Sequence, residues 1–473
     1  MTELHRLDAT DQAALLRRGD VTSVELVQHH LDRVGALDST LGAFITVTAE
    51  RALQRAVEAD KRLASGNTLH ALDGVPTAIK DLTPTTTEPT TYGSVVTKDF
   101  VSPVSAYSAE LLEGAGLISL GKTNTPEFGL SSYTDNDLVG PARTPWNLDC
   151  NAGGSSGGAA TSVAAGLVPL ALGSDGGGSI RIPASSCGIF GLKPSRGRVS
   201  SGPTGNEVSG LAIQGPLSRS VRDAAALLDI LARPMPGDPY PSTSNEHSFS
   251  ACVGRDPGRL RIARWSMPYL SHITAHADTV AAYESATSLL ESLGHEVEEI
   301  ANPFPGELET HFNVIWSTAM AALPLRPEAE ALLRANTAYW RKRGTQSTGT
   351  DLLSAMVAKE LLIRQALTSM APYDAFLTPT LAMPPQRNDW FNESGDPFED
   401  HQRELQYTPY TASYNMSGQP AASLPLYWNG DDLPIGVMLA TKPGFDGLLI
   451  SLCAEIEAAA PWQAKWPPIA DND

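Results

Sequence analysis

The chain has 473 residues, of which 42% are hydrophobic and 18% are charged, and its formal net charge is −19. This composition is typical of a folded protein with a sizeable core. The acidic balance argues against binding to nucleic acid or to an anionic membrane, because both select basic patches.

The cysteines and the N-terminus indicate the compartment. The four cysteines are widely separated and form no CxxC pair, so the sequence predicts neither a zinc site nor a disulfide framework but free thiols in a reducing compartment. The first six residues lack the basic-then-apolar pattern of a signal peptide. The most apolar stretch, residues 159–172, is too short to span a bilayer. We therefore expect a cytoplasmic protein.

The first half of the chain predicts helices, followed by short strands that alternate with helices. Thr22 and Glu25 match a capping box at the start of an apolar-periodic helix. The other predicted helices are residues 49–64, 106–113 and 157–165, and the predicted strands are residues 75–80, 117–120 and 168–172. Such an alternation indicates an α/β architecture with a covered sheet.

The second half is less regular, and no internal repeat is present. Residues 232–247 are rich in Pro, Ser and Asp and predict a surface excursion. A strand–helix–strand pattern follows at 260–300, and residues 310–370, which carry Trp316 and Trp340, are mostly helical. Residues 383–411 predict a surface loop with some buried aromatic residues, or a lid. Strands return at Leu424 and at residues 435–439.

Two formal motif matches are not supported by their context. Residues 116–123 match the phosphate-binding pattern GxxxxGK[ST], but that motif needs a loop where these residues are strand-like. Residues 153–157 match GxSxG, yet that elbow must follow a strand directly, and a turn-rich loop precedes it here. A Ser-His-Asp triad also needs a late histidine, and His401 lies in a charged run that predicts a solvated side chain. No motif or ligand cluster indicates a metal.

Two tracts of glycine and serine, residues 153–158 and 173–181, carry most of the functional signal. Consecutive glycines let a backbone approach a ligand closely, and a serine that ends such a tract can be a nucleophile beside free N–H groups. Without a suitable histidine the serine needs another base, and lysine serves if burial lowers its pKa. Lys80 ends an apolar strand, but position alone does not select it, because such a lysine is usually at the surface.

Taken together, these segments resemble the amidase signature family. The resemblance covers nearly the whole chain and includes residues 72–81, 121–124, 145–148, 153–158, 173–183, 187–188, 191–194, 415–421 and 433–437. It implies an α/β fold in which a central mixed, twisted β-sheet is covered by helices on both faces. It also implies one domain over 1–473, made of N-terminal helices (1–65), a catalytic core (66–230), a variable substrate-shaping region (231–411) and a return to the core (412–473).

The same resemblance implies a catalytic relay without cofactor or metal. Ser179 corresponds to the nucleophile, Ser155 to a bridging serine and Lys80 to the base. A cis peptide bond is implied between Gly154 and Ser155. The oxyanion hole is implied to consist of the backbone N–H groups of Gly176, Gly177, Gly178 and Ser179.

Further residues are expected around this relay. Asp81, Asp175 and Arg181 are expected to orient it, and an ion pair that holds the loop is compatible with that role. The loop from Pro126 to Ser132 is implied to line the acyl pocket, and we expect Phe128, Gly129 and Ser131 to contact substrate. Three departures from the family pattern are Gly176 in place of a larger residue, Met438 in place of glutamine, and the lead-in at 150–152.

The leading hypothesis is an amidase that acts alone, as a monomer or homodimer, on small amides, anilides or carbamates (urethanes). Trp390, Tyr410 and Tyr414 would suit an aryl substrate. One alternative is a hydrolase of nylon-type oligomers of 6-aminohexanoate. Another is the transamidating subunit of a tRNA-dependent amidotransferase, from whose pattern Ile182 departs. A nucleotide-binding protein that uses residues 116–123 is the third alternative.

Overall fold

The computed structural model describes residues 3–205, 208–239, 247–270 and 272–471. In these residues eleven strands form one sheet in the order β1-β3-β2-β4-β6-β5-β10-β11-β9-β7-β8. The strands are β1 (Phe44–Val47), β2 (Pro76–Lys80), β3 (Ile118–Thr123), β4 (Leu170–Asp175), β5 (Phe190–Lys193), β6 (Ile213–Ser218), β7 (Arg261–Arg264), β8 (Glu296–Glu299), β9 (Ala375–Pro379), β10 (Ala421–Trp428) and β11 (Pro434–Thr441).

The strands are surrounded by helices of very different lengths. The α-helices are α1 (Ala9–Arg18), α2 (Ser23–Leu41), α3 (Ala49–Ala64), α4 (Tyr107–Gly114), α5 (Gly157–Ala164), α6 (Arg181–Cys187), α7 (Val221–Leu231), α8 (Phe249–Cys252), α9 (Ala277–Ser292), α10 (Leu308–Ala321), α11 (Ala335–Thr345), α12 (Gly349–Met370), α13 (Pro397–Tyr407), α14 (Ala412–Ser417) and α15 (Asp446–Ala459). Short 3₁₀ turns lie at Leu4–Arg6, Val95–Thr97, Glu127–Gly129, Pro327–Leu332 and Pro468–Asp471.

The sheet is mixed. Strand β2 lies between β3 and β4 and is parallel to both, whereas β4 pairs with β6 in antiparallel register. At the other end, β7 is parallel to both β8 and β9. Because β2 and β4 are parallel neighbours, their carboxyl ends meet at one edge of the sheet.

Both faces of the sheet are buried. Along β4, Leu170 and Leu172 belong to one apolar cluster, and Ala171 between them belongs to another. Side chains of α7 and α15 fill the first cluster, and those of α2 and α5 fill the second. Such alternation follows from the two-residue period of a strand. The expected α/β sheet with helices on both faces is confirmed.

The local sequence explains where the helices begin. The Thr22 hydroxyl accepts from the Glu25 amide at 3.1 Å, and the Glu25 carboxylate accepts from the Thr22 amide at 2.8 Å, so the predicted capping box is confirmed. The other predicted helices and strands of the first half are also confirmed within a few residues. Residues 240–246 of the predicted surface excursion lie outside the described residues. Within the described ranges, no helix combines the length and the hydropathy needed to cross a bilayer.

Candidate active site

The end of β2 places Lys80 beside the end of β4. Ala78 pairs with Ala171 in the two parallel strands. Lys80 Nζ therefore reaches the last residues of β4 and donates to the Ser174 hydroxyl at 3.1 Å and to the Ser174 carbonyl at 3.3 Å. The lysine is 0% exposed. A lysine that ends a strand is thus turned into the protein interior.

The amine of Lys80 is joined to Ser155. Lys80 Nζ lies 2.8 Å from Ser155 Oγ, which is hydrogen-bond distance. Burial lowers the pKa of Lys80 to about 7, because the interior solvates the ammonium poorly, and Asp175 only partly opposes this shift. Near neutral pH, a large share of this amine is therefore uncharged and able to accept a proton.

The tract that carries Ser155 is fixed by close backbone packing. The peptide bond between Gly154 and Ser155 is cis, as the family resemblance implies. A Cβ atom at residue 154 would lie 2.6 Å from the Tyr133 carbonyl, so only glycine fits there. The next residue joins the two tracts, because the Ser156 amide donates to the Ser179 carbonyl at 3.1 Å.

Ser179 lies in the turn between β4 and α6. It lines a cavity that encloses about 670 Å³ including its mouth. In the part of the chain that the structure describes, its hydroxyl makes no hydrogen bond, with Ser155 or with any other group. Apo active sites often lack hydrogen bonds that tighten only once substrate binds. Ser179 therefore lines the cavity with a free hydroxyl, and its backbone contacts the residue that follows Ser155.

The glycines before Ser179 present backbone N–H groups. Within the described ranges, the amides of Gly176, Gly177 and Ser179 donate to no protein acceptor, whereas the Gly178 amide donates to the Asp175 carboxylate at 2.8 Å. The predicted four-donor hole is therefore corrected to three free donors. Gly178 is engaged because Asp175 turns back to cap its own loop.

Behind the loop, Asp175 and Arg181 form a fully buried ion pair. Two guanidinium nitrogens of Arg181 lie 2.9 Å from the two carboxylate oxygens. Burial alone would raise the pKa of Asp175, but Arg181 holds it well below its usual range. Asn415 bridges both partners, since it donates to Asp175 at 2.8 Å and accepts from Arg181 at 2.6 Å. A bidentate pair with further hydrogen bonds is the form in which buried charges are tolerated.

The C-terminal part of the chain also holds the loop from outside. The Thr411 hydroxyl donates to the Gly177 carbonyl at 2.6 Å. Met438, which departs from the family pattern, accepts from Arg181 through its sulfur at 3.4 Å. Sequence reasoning did not single out Thr411 or Asn415. The signal for Asn415 was its place in a segment that carries the family resemblance.

We expect the substitution Gly178→Ala to lower kcat by about 10²–10³, because the displaced loop would misplace the neighbouring N–H donors. Residue 178 has φ +137°, and a Cβ there would lie 2.3 Å from Thr411 Oγ1 and 2.7 Å from Ile182 Cδ1. The matched control is Gly254→Ala, at a left-handed glycine with open space around it. Steady-state rates of both variants test this, and equal rates would contradict it.

Aromatic side chains of α10 form a wall of the cavity. The rings of Phe312 and Trp316 are stacked, with centroids 5.3 Å apart. A Cβ at Gly176 would lie 3.2 Å from the Trp316 ring, and one at Gly177 would lie 3.3 Å from Phe312. The side chain that Gly176 lacks is thus replaced in space by the Trp316 indole. The sequence predicts a helix in this region but does not predict that the helix lines the cavity.

One expected orienting residue lies elsewhere. Asp81 accepts from the Thr91 amide at 3.0 Å and from its hydroxyl, and pairs with Lys122 at 3.3 Å. Among the described residues it forms no contact with the Lys80 amine. Successive side chains in extended chain point in opposite directions, which is why neighbours in sequence separate here.

The position of Lys122 decides whether residues 116–123 form a phosphate-binding loop. Residues 118–123 form strand β3 and not a loop, and the Lys122 ammonium is fully buried. It donates to the Thr83 carbonyl at 2.7 Å and to the Thr90 hydroxyl at 2.9 Å. The third alternative, a nucleotide-binding loop here, is therefore wrong.

The three residues expected to contact substrate differ in position. Ser131 lines the cavity, and its hydroxyl accepts from Asn336 at 3.0 Å. Gly129 is not among the residues that line the cavity, and a Cβ there would be 3.4 Å from Ser155 Oγ. Phe128 does not line the cavity; its ring stacks on Tyr92 with centroids 6.3 Å apart. The backbone of Phe128 is left-handed, with φ 52°, and this turns the ring away.

The expected aromatic side chains of the later region are also placed differently. Tyr410 and Tyr414 are buried in the core, and Trp390 packs edge-on against Phe391; none lines the cavity. His401, which we expected in solvent, is 9% exposed, because its ring packs at 88° on Trp340 with centroids 4.8 Å apart. It lines the cavity.

Comparison with known proteins identifies the family of this chain. A family model described as Amidase matches residues 25–450. The acylamidase of Rhodococcus erythropolis is 33% identical over 487 residues, which cover 99% of this chain and 98% of that protein. A solved structure of 6-aminohexanoate cyclic dimer hydrolase matches with a TM-score of 0.91 at 30% identity, covering 98% of this chain and 99% of that one. The structure of a bacterial aryl acylamidase matches with a TM-score of 0.89 at 26% sequence identity, covering 99% of this chain and 99% of that one. The chain therefore belongs to the amidase family and is an amidase, a hydrolase that acts on amides.

Proposed function

We propose that the enzyme cleaves small amides, anilides and aryl carbamates through a covalent acyl-enzyme on Ser179. The observation that carries the proposal is the fully buried Lys80 amine, 2.8 Å from Ser155 Oγ. The residue after Ser155 donates through its amide to the Ser179 carbonyl at 3.1 Å, and Ser179 lines the cavity. A nucleophile, a bridging hydroxyl and a base of lowered pKa are the groups that acyl transfer requires.

In the proposed first half-reaction, the Ser179 oxygen bonds to the substrate carbonyl carbon. Its proton passes to Ser155, whose own proton passes to neutral Lys80. The oxyanion is stabilised by the free amides of Gly176, Gly177 and Ser179. As the carbon–nitrogen bond breaks, Ser155 returns a proton to the leaving nitrogen and is itself reprotonated by Lys80.

In the second half-reaction, water attacks the ester carbonyl. Its proton travels along the same relay, and the Ser179–carbon bond breaks to release the acid and the free hydroxyl. Carbamates fit the same scheme, since their carbonyl also carries a nitrogen leaving group. The stacked Phe312 and Trp316 rings favour an aryl or extended apolar substrate.

The variable region is proposed to choose the substrate. Residues 231–411 contribute Phe312, Trp316, Trp340, His401 and Glu404 to the cavity that Ser179 lines. The likeness to 6-aminohexanoate cyclic dimer hydrolase adds short oligoamides to the substrates worth testing. We also propose a cytoplasmic location, because all four cysteines are buried free thiols.

The test is a hydrolysis screen over aryl amides, fatty amides, aryl carbamates and short oligoamides. We expect turnover of at least one aryl amide, and a stoichiometric mass increase on the peptide that contains Ser179 when a slow aryl carbamate is used. A folded enzyme that hydrolyses none of the four classes, or an adduct on a different residue, would contradict the proposal.

A further inference from the structure

The cavity beside Ser179 is lined by acidic side chains. Glu309 and Glu404 both line it, whereas no lysine or arginine does in the part of the chain that the structure describes. A carboxylate without a counter-cation in a partly enclosed space favours a ligand that brings the positive charge itself.

Glu404, on α13, is held in a fixed orientation. Its carboxylate accepts from the Ser132 amide at 2.9 Å, from the Ser132 hydroxyl at 3.0 Å and from Asn336 at 3.4 Å. All three donors are neutral, and within the described ranges no ion pair involves this residue. Burial raises the pKa of Glu404 to about 7, and the Ser132 hydrogen bonds oppose this shift. A cation beside the Glu404 carboxylate would supply the charged partner that the described residues do not provide.

A second side chain that can accept a hydrogen bond lines the same cavity. His401 lines the cavity and is 9% exposed, and its Nε2 is a buried atom with no hydrogen-bond partner in the described chain. Burial lowers the pKa of His401 to about 4, so the ring is neutral at pH 7. A neutral imidazole nitrogen can accept one hydrogen bond.

We propose that Glu404 binds an ammonium group carried by the substrate, so that the preferred amides bear a free amine at the end remote from the scissile bond. An ammonium has three N–H donors, and the Glu404 carboxylate and the His401 ring supply acceptors for them. Glu309 adds negative charge to the same wall, and the net charge of −19 draws cations toward the molecule. This inference rests on the hydrolase proposed above.

The ammonium can belong to the acyl part or to the leaving amine, and paired substrates distinguish the two. In the acyl arm, the p-nitroanilide of 6-aminohexanoate is compared with heptanoyl p-nitroanilide, in which a methyl group replaces the ammonium. In the amine arm, N-acetylcadaverine is compared with N-acetylhexylamine. The mono-p-nitroanilide of adipate, with a terminal carboxylate, serves as the charge-reversed substrate.

We expect kcat/KM to favour the ammonium member of at least one pair by about 10- to 100-fold, the range for a hydrogen-bonded charged group. The adipate derivative should be the poorest of the acyl substrates. In Glu404→Gln the preference should fall to near unity. Glu399→Gln is the matched control, because it removes the same charge from an exposed position on the same helix and should keep the wild-type ratio.

Equal rates within both pairs, or an unchanged ratio in Glu404→Gln, overturn the inference and leave the hydrolase intact. If Glu404→Gln does not fold, the wild-type ratios and the rate with the adipate derivative still decide the matter, since an acid-preferring or indifferent cavity contradicts it. Failure of the wild-type enzyme to cleave any of these amides overturns this inference, and it overturns the proposed hydrolase as well only if the screen of the four substrate classes also shows no turnover.

Discussion

Ser179→Ala is expected to lower kcat on every amide substrate by a factor on the order of 10⁶, the loss that removal of a serine nucleophile produces in serine hydrolases. The variant loses the oxygen that bonds to the carbonyl carbon and keeps the rest of the cavity. Since this hydroxyl makes no hydrogen bond in the described chain, Tm should stay close to that of the wild type. Single-turnover kinetics and thermal unfolding measure the two effects.

Ser201→Ala is the control for that experiment, since it removes a hydroxyl from an exposed residue that does not line the cavity. It should keep wild-type kcat. Residual activity of Ser179→Ala above about one hundredth of the wild type would reject Ser179 as the nucleophile. Loss of Tm together with kcat would instead assign the hydroxyl a structural role.

Lys80→Met is expected to lower kcat by about 10²–10⁴, the contribution of a well-placed general base. Methionine keeps most of the buried stem and removes the amine that contacts Ser155. Activity in the wild type should rise with pH and level off above about 7, because the protonated amine below its pKa cannot accept a proton. The pH dependence of kcat, measured from acid to mildly alkaline buffer, tests both statements.

Lys193 provides the control for the pH profile. It is also fully buried, burial lowers its pKa to about 7, and its ammonium donates to the Pro194 carbonyl at 2.9 Å. In Lys193→Met, kcat should still fall at acid pH as it does in the wild type. If the decrease of kcat at acid pH disappeared in Lys193→Met and remained in Lys80→Met, Lys80 would be rejected as the base.

The strands that position the site could be predicted, because apolar runs of strand length bounded by turns are local signals. The meeting of Lys80 with Ser155 followed from the family resemblance and not from any spacing. Asp81 was placed wrongly, since its direction depends on the buried partner Lys122, 41 positions away along the chain.

The residues that form the cavity walls could not be predicted from the local sequence. His401 lies in a charged run, and only the packing of its ring on Trp340, from another helix, buries it. Trp316 occupies the space that Gly176 leaves open, a relation between segments 140 positions apart. Contacts of this kind depend on how helices are laid against the sheet, which hydrophobic periodicity does not specify.

The anchoring of the glycine loop by Asn415 has a consequence for biosynthesis. Asp175 and Asn415 are 240 residues apart. At translation rates of roughly 5–20 residues per second, the ribosome makes the second about 12–48 s after the first. Until then the loop lacks the hydrogen bonds that Asn415 makes with Asp175 and Arg181, so a nascent chain carries Ser179 without the packed loop around it. The loop can therefore reach its observed geometry only after residue 415 has been made.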